Sequence, residues 1–408
     1  MLDSTPVLPC WILFWFFSGA AVILGLASLR AASRRLQAIA AEMQQEPPPF
    51  TPSVTLIVPV KGREEGLVDN LRSLLTQDYP DFEMLIAVRD GADPAVAEVA
   101  PLVAAGVRLV VAGPPPANTG EKIGNLLAAV AQARASTQVL AFADSDGRVA
   151  RGWLRGLVAP LADPAVGAST GYRWYFPQRA AFWPLIRSVW NAAIAGGFVP
   201  GRQSPPAFAW GGAMALRRET FDRARVPDFW LGSLSDDYRL TQAVRAAGLQ
   251  IRFSPCAMVA TEGDCSAAEF FAWAVRQLTI TRVYRPRLWW LGFAAHILYC
   301  GAMLAGILAI ATGALWAIPI LLLATVPGMA SGALRGRSAR LLFPDRAPWL
   351  ARHAWIYFWL TLPATWIWLA VFVASLARRR IEWRGNTYEL LSPAKTRPIT
   401  ATRETPQP

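Results

Sequence analysis

Two aspartates separated by one serine follow a short apolar run in the segment VLAFADSDG. They are Asp144 and Asp146. Alternate residues of an extended segment face the same way, so both carboxylates can address one hard cation such as Mg²⁺ or Mn²⁺. Proteins usually hold such an ion with one or two carboxylates and the phosphates of a substrate. The alternative interpretation of this segment alone is a solvated turn before Gly147.

Polar residues at the ends of other apolar runs are candidates for the same site. Asp90 ends MLIAVRD, where a carboxylate can accept hydrogen bonds from a base or ribose; taken alone, it is also a common strand-to-loop residue. The chain has only three lysines, at 61, 122 and 395. Lys61 follows VTLIVPV and Lys122 opens a helical run in NTGEKIGN, positions at which an ammonium suits a phosphate. The alternative is that both lysines lie on a solvated surface.

A second acidic pair, Asp236 and Asp237, stands between Ser235 and Tyr238 at the start of a helical pattern. One of these carboxylates can accept the proton of an attacking hydroxyl, as general-base catalysis requires. The alternative is an N-cap placed favourably for the helix dipole. The two histidines lie in or beside apolar C-terminal stretches, which excludes Ser-His-Asp triads and zinc hydrolase sites as explanations.

Short β-branched runs alternate with helical patterns between residues 53 and about 265. The spacing predicts helices over 64–76, 94–104 and 122–135, each between two strands. This alternation predicts an α/β domain with a mostly parallel sheet and helices on both faces. Ligands of such sheets bind beyond the carboxyl ends of the strands, where the candidate polar residues occur.

The composition indicates a membrane protein, since 54% of residues are hydrophobic and only 17% are charged. Residues 7–29 carry no charge and are followed by Arg30, Arg34 and Arg35, which predicts an anchor with its N-terminus outside and the following domain in the cytoplasm. The alternative is a cleaved signal peptide, but its basic residues would precede the apolar run. The chain is therefore expected in the cell inner membrane as a multi-pass protein.

Further apolar stretches follow Trp289. One extends to Leu334 and is long enough for two spans, and another covers residues 354–377 before the basic triplet 378–380. Three crossings would leave this basic tail outside, against the positive-inside rule. Either one stretch re-enters or lies in the interface, or the tail breaks the rule.

The net charge of +12 fits an anionic membrane surface, and no nucleic-acid-binding signature accompanies it. The four cysteines, at 10, 256, 265 and 300, are widely spaced, which favours free thiols in a reducing compartment. The predicted organisation is an N-terminal anchor (1–35), an α/β domain (50–265), an interfacial helix region (266–288), C-terminal transmembrane helices (289–377) and a basic tail (378–408).

Taken in chain order, the acidic and lysine motifs described above resemble those of a family-2 inverting glycosyltransferase with the GT-A fold. The resemblance covers about residues 53–285. The opening strand and helix PVKGREEGLVDNLRSLLTQDYP are part of the resemblance. It implies that Asp90 contacts the uracil of a UDP-sugar and that Asp144 and Asp146 hold Mg²⁺ or Mn²⁺. It also implies that Asp237 is the catalytic base, with Asp236 as its neighbour.

Within that family the chain is most similar to the ceramide glucosyltransferase group, which includes bacterial enzymes acting on hopanoid-type lipids. The segments GEKIGNLL, FAWGGAMAL and WRGNTYEL carry this similarity. The Arg-Trp pair usual in the group is absent from the stretch 276–282. The resemblance implies a nucleotide-sugar site formed by Pro59, Lys61, Asp90, Lys122, Asn125 and Asp144, and an acceptor or diphosphate region formed by Gly211, Gly212, Arg276, Gln277 and Arg282.

The implied activity is transfer of a hexose, glucose or an N-acetylhexosamine, from a UDP-sugar to the hydroxyl of a membrane lipid, with inversion. Two apolar stretches that mix tryptophan and arginine, at 183–198 and around Trp289, fit interfacial helices along which a lipid acceptor would approach. The alternatives are a processive polysaccharide synthase and a membrane scaffold whose catalytic site has decayed.

Overall fold

The computed structural model describes residues 7–46, 48–201 and 208–399; Pro47, which the sequence places in a proline spacer, lies outside the described residues. The chain divides into two compact units. Of the described residues, the sheet unit comprises 42–46, 48–178, 197–201, 208–263 and 377–399, and the helical unit comprises 7–41, 179–196 and 264–376. The C-terminal tail thus belongs to the same unit as the α/β domain, although the helical segments separate them in sequence.

A seven-stranded sheet forms the centre of the sheet unit. Its order is β3-β2-β1-β4-β7-β5-β8, in which β7 is antiparallel to both neighbours and the other pairs are parallel. A separate parallel pair is formed by β6 and β9. The strands are β1 Val54–Pro59, β2 Phe82–Val88, β3 Arg108–Val111, β4 Val139–Ala143, β5 Val166–Thr170, β6 Arg173–Tyr175, β7 Ala213–Arg217, β8 Gln250–Phe253 and β9 Val259–Thr261.

The central strands β1, β2 and β4 are mostly buried, as expected for a sheet covered on both faces, whereas the edge strands β3 and β8 are partly exposed. All five residues of β4 are buried. The core includes Ile57, Leu85, Phe142 and Trp230. The mixed α/β fold with a mostly parallel sheet, expected from the sequence, is confirmed.

The helices of the sheet unit follow the predicted alternation. They are α2 Leu67–Leu75, α3 Pro94–Ala104, α4 Glu121–Ala131, α5 Trp153–Val158, α7 Arg218–Arg223, α8 Val226–Trp230 and α9 Asp236–Ala246, with 3₁₀ turns at Ala159–Ala162 and Pro255–Ala257. Helix α3 has the predicted bounds, whereas α2 and α4 are shorter than predicted. The helix predicted from residue 64 begins at Leu67 because Gly66 has φ 73°, a left-handed conformation that a helix does not continue through.

The tail forms three antiparallel strands, an element that the sequence did not lead us to predict. They are β10 Arg380–Trp383, β11 Asn386–Ser392 and β12 Lys395–Ile399. Ile381, Tyr388 and Leu390 are buried, whereas most charged residues of the segment are exposed. The high arginine content therefore masked a half-buried sheet.

The helical unit contains α1 Val7–Glu42, α6 Phe182–Ala195, α10 Ala267–Tyr284, α11 Pro286–Ala311, α12 Ala317–Leu342, α13 Ala347–His353, α14 Ile356–Trp359 and α15 Thr361–Ser375, with a 3₁₀ turn at Pro344–Arg346. Within the described residues, three helices are long and apolar enough to cross a membrane: residues 11–42 of α1, and the whole of α11 and α12.

The third C-terminal stretch expected from the sequence, 354–377, is divided between α14 and α15. The 15 residues of α15 span about 22 Å at 1.5 Å per residue, less than the ~30 Å hydrocarbon core of a bilayer. Trp190 of α6 stacks on Trp368 of α15 with ring centroids 3.8 Å apart, so aromatic packing fixes these two helices against each other.

Candidate active site

Lys122 joins the two acidic motifs of the sheet unit. It lies in the first turn of α4, and its Nζ is 2.8 Å from Asp144 Oδ1 and 3.1 Å from Asp236 Oδ2. The lysine side chain is only 14% exposed. Although burial opposes the charge, Asp144 and Asp236 raise the pKa of Lys122 above its ordinary value. One ammonium group therefore holds together carboxylates that are 92 positions apart in the chain.

The Asp-x-Asp motif follows β4, and an arginine that the sequence did not single out binds both of its acids. Arg173, the first residue of β6, places Nη2 3.0 Å from Asp144 Oδ2 and Nη1 2.9 Å from Asp146 Oδ2. The guanidinium also lies over the Trp210 ring, 4.6 Å from its centroid. Burial alone would raise the pKa of Asp144, but Lys122 and Arg173 outweigh it and lower that pKa.

The donor chemistry of Asp144 and Asp146 fits a hard divalent cation, because both residues present carboxylate oxygens on one short segment. Asp146 is 36% exposed at its side chain, so a ligand can reach it. No group of three or more potential metal-ligating side chains occurs among the described residues. These two acids could therefore hold an ion only together with ligands from a substrate, such as phosphates.

The second acidic pair opens α9, and its two members have different surroundings. Ser235 is the N-cap, because its Oγ accepts the hydrogen bond from Tyr238 N at 3.2 Å. Asp236 is buried and faces Lys122. Burial first, and the adjacent Asp236 second, raise the pKa of Asp237 to about 7. Asp237 Oδ1 also accepts a hydrogen bond from Tyr238 N at 2.7 Å, and the raised pKa makes the carboxylate a suitable proton acceptor near neutral pH.

Gly211 and Gly212 allow the backbone to pass close to these charged groups. A Cβ on Gly211 would lie 2.3 Å from Asp236 Oδ2 and 3.1 Å from Lys122 Nζ. A Cβ on Gly212 would lie 2.7 Å from Asp144 Oδ2. A Cβ at Gly211 would therefore force Asp236 to shift, and a Cβ at Gly212 would force both Trp210 and Asp144 to shift.

Lys61 and Asp90 end neighbouring strands but do not contact the cluster around Lys122. The ammonium of Lys61 is 3.0 Å from Glu121, which also pairs with Arg89 at 3.2 Å. Asp90 is exposed, and its Oδ1 accepts a hydrogen bond from Ala92 N at 3.0 Å. Lys61 and Asp90 thus follow the carboxyl ends of β1 and β2, the edge at which parallel sheets bind ligands. Their roles in nucleotide-sugar binding stay predictions.

Two other predicted residues lie on the elements that frame the site. Pro59 is the last residue of β1. Asn125 is buried in α4, one turn after Lys122, and its Oδ1 has no hydrogen-bond partner among the described residues.

The predicted acceptor-side residues Arg276, Gln277 and Arg282 all lie on α10, in the helical unit. Arg282 Nε donates a hydrogen bond to the Ser375 carbonyl at 3.0 Å. The assignment of the three residues to an acceptor or diphosphate region stays a prediction.

A buried cation bridging two acidic motifs beyond the strand ends of a mostly parallel α/β sheet is an arrangement suited to a sugar-transferring enzyme with a charged donor. Comparison with protein families agrees with this class. The model of Glycosyl transferase family 21 matches residues 14–396, and the chain belongs to that family. The expected glycosyltransferase class is confirmed, whereas the numbered family is 21 rather than family 2.

Similar solved structures include a mannosyltransferase, PcManGT from Pyrobaculum calidifontis, in complex with GDP-Man and Mn²⁺. It is 19% identical, with 88% of this chain and 97% of that chain covered and a TM-score of 0.46. Another is GalNAc-T7 with UDP, GalNAc and Mn²⁺, which is 14% identical, with 52% of this chain and 44% of that chain covered and a TM-score of 0.39. A mycobacterial protein is 17% identical, with 61% of this chain and 77% of that chain covered and a TM-score of 0.36.

Proposed function

We propose that this enzyme transfers one hexose, glucose or an N-acetylhexosamine, from a UDP-sugar to the hydroxyl of a membrane lipid, ceramide-like or hopanoid, with inversion. The observation that carries the proposal is the junction at Lys122, which brings the Asp-x-Asp motif and the Asp236-Asp237 pair to one place. The junction supports a site in which a charged leaving group and a proton acceptor lie close to the same sugar.

The donor diphosphate would lie near Lys122, beyond the end of β4. Lys122 and Arg173 are the two cations nearest the acids, and both can donate hydrogen bonds to phosphate oxygens. Asp144 and Asp146 would hold Mg²⁺ or Mn²⁺, which when bound supplies positive charge to the departing diphosphate. The uridine would extend toward Asp90, with Pro59, Lys61 and Asn125 along the same edge.

Asp237 would take the proton of the acceptor hydroxyl. A pKa of about 7 keeps a large fraction of its carboxylates ionised at neutral pH while leaving them basic enough to accept a proton. Attack on the sugar face opposite the diphosphate then inverts the anomeric centre. Asp236 stays paired with Lys122, so it is the neighbour that raises the basicity of Asp237 rather than the base.

The chain path supports one membrane arrangement. The candidate catalytic residues and the tail share one compact unit, so both would lie on the same side of a bilayer. The number of crossings between residues 264 and 376 would then be even, which α11 and α12 would satisfy without α15. Arg30 and Arg34 lie toward the end of α1, and by the positive-inside rule they support a cytoplasmic location for the sheet unit. This arrangement also keeps the basic tail inside.

Analysis of the lipid product tests the proposal. The purified protein in nanodiscs with ceramide or hopanoid acceptors, given UDP-glucose or UDP-N-acetylglucosamine, should yield a lipid carrying one added sugar, detected by mass spectrometry. A ladder of longer products would support the polysaccharide synthase instead. No product with any of these donors or acceptors, and no binding of UDP, would favour the scaffold.

A further inference from the structure

The C-terminal hairpin, defined here as β10, β11 and the turn Arg384-Gly385, contacts the segments that carry the candidate site. We propose that Arg384, Asn386 and Tyr388 are positioning residues that fix the donor-binding groups of the enzyme. The inference rests on the proposed function, because it assigns the hairpin a role in donor binding. Each residue acts through a neighbour and not by touching the reacting atoms.

The turn has a conformation that an arginine rarely adopts. Arg384 has φ 48° and Gly385 has φ 76°, between the paired residues Trp383 and Asn386. Two positive φ angles define a two-residue turn that normally begins with Asn, Asp or Gly. An arginine in this position is a local outlier, and such outliers persist where the side chain serves another purpose.

The Arg384 side chain connects the hairpin to the Asp-x-Asp motif. Its Nη1 donates to the Lys61 carbonyl at 2.9 Å, and its Nη2 pairs with Glu64 Oε1. The other oxygen of Glu64 accepts a hydrogen bond from Ser145 Oγ at 2.6 Å. Ser145 is the middle residue of the motif, so the path from the tail to the motif consists of two side-chain contacts.

Asn386 and Tyr388 hold the first residue of α4. Asn386 Nδ2 donates to Glu121 Oε2 at 2.8 Å, and the Tyr388 hydroxyl accepts from Glu121 N at 3.3 Å. The first N–H groups of a helix have no partner inside the helix, so Tyr388 satisfies one of them. The next residue is Lys122, whose ammonium joins the acids. The hairpin therefore constrains the backbone from which that ammonium extends.

The far end of the tail constrains the third segment of the site. Thr396 N donates to the Gly232 carbonyl at 2.8 Å, and a Cβ on Gly232 would lie 2.5 Å from the Ala394 carbonyl oxygen. Gly232 precedes Ser233, whose carbonyl accepts from Gly120 N at 2.8 Å. The loop before Asp236 is thus packed between the tail and the start of α4.

Hydrogen exchange on the full-length protein tests these contacts without any ligand. Arg384→Ala should speed amide exchange by about tenfold or more in residues 144–147, and Tyr388→Phe should do so in residues 121–124. Arg384→Lys should restore part of the protection. Arg397→Ala is the matched control, because the hydrogen bond and ion pair of the Arg397 side chain within the described ranges go to Glu389 in the same small sheet and not to a site segment. It should leave both regions unchanged.

Binding of UDP, measured by calorimetry in the presence of Mn²⁺, provides the functional readout. Arg384→Ala should raise the dissociation constant about tenfold, equivalent to about 1.4 kcal/mol. In the assay its effect should fall on the KM of the donor more than on kcat. Because Arg384 reaches the Asp-x-Asp motif through Glu64, the combined effect of Arg384→Ala and Glu64→Gln on binding should be smaller than the sum of their separate effects.

Unchanged exchange in residues 144–147 and 121–124 for the two hairpin variants would overturn the inference, as would fully additive effects of Arg384→Ala and Glu64→Gln. Absence of UDP binding by the wild type would refute the proposed function instead. In that case the exchange data would still decide whether the hairpin fixes these segments.

Discussion

Replacing Asp237 with asparagine should strongly reduce transfer and stabilise the protein at the same time. The substitution keeps the shape of the side chain. It also keeps Oδ1, which accepts the hydrogen bond from Tyr238 N at 2.7 Å and another from Ser235 Oγ. What it removes is a partly buried negative charge and the ability to accept a proton. The two effects have one cause and should therefore appear together.

The loss of activity follows from the role of a general base, which contributes about 10²–10⁴-fold to a rate. The wild-type kcat/KM should fall about tenfold per pH unit below the pKa of about 7, because only the ionised carboxylate accepts the proton. Asp237→Asn should leave a residual rate about 10²–10⁴-fold lower, without this dependence on pH.

The gain in stability depends on pH with a definite sign. The pKa of Asp237 is raised from 3.8 to about 7, so the unfolded chain loses its proton at lower pH than the folded protein. The wild type therefore loses stability as pH rises from about 4 to about 7. At 1.36 kcal/mol per pKa unit, the wild type can lose at most about 4 kcal/mol of its free energy of unfolding in this way. Because the side chain is partly exposed, we expect a loss of ~1–2 kcal/mol.

Thermal unfolding and transfer assays of both proteins between pH 5 and pH 8 measure these effects. The midpoint of Asp237→Asn should exceed that of the wild type by several degrees at pH 8, and the difference should shrink toward pH 5. Equal midpoints at pH 8, or transfer by the variant within threefold of the wild type, would refute the assignment of Asp237 as a buried base.

Three further variants probe the charged cluster. Lys122→Met should lower the free energy of unfolding by ~3–5 kcal/mol, because it leaves Asp144 and Asp236 without their shared cation. In thermal unfolding, the double variant Lys122→Met with Asp236→Asn should recover part of this lost stability. Arg173→Gln should tighten Mn²⁺ binding by about tenfold, because it removes a cation that competes for the same carboxylates. Electron paramagnetic resonance of free Mn²⁺ measures this binding, and equal or weaker binding by the variant would contradict the expectation. Gly211→Ala should abolish UDP binding in calorimetry because its Cβ would lie 2.3 Å from Asp236, whereas Gly152→Ala, with no atom within 4 Å of its Cβ, should bind normally.

Local sequence signals were enough to place the acidic residues of the site. The Asp-x-Asp motif follows a buried strand, and Asp236-Asp237 opens a helix, so both positions follow from strand and helix periodicity. The order of parallel strands then brings polar loop residues to one edge of the sheet. The partnership of Lys122 with both acidic motifs depends on tertiary packing, which spacing alone does not specify.

Arg173 and the C-terminal hairpin illustrate what periodicity misses. Arg173 lies in a three-residue strand, too short for an alternating pattern, and the chain has many other arginines of no greater apparent interest. The hairpin is separated from the rest of its unit by the helical segments, and its charges resemble those of a basic tail beside a membrane. The one local signal was the Arg-Gly dipeptide between short apolar-containing runs, which is compatible with a two-residue turn.

Calorimetric titration of UDP into the purified wild type and into Asp144→Asn, each with Mn²⁺ and with a chelator, tests the central claim most directly. The account predicts saturable binding by the wild type with Mn²⁺ and at least a tenfold weaker interaction for Asp144→Asn. Absence of binding by the wild type, or equal binding by the two proteins, would contradict the claim that this cluster holds the donor diphosphate.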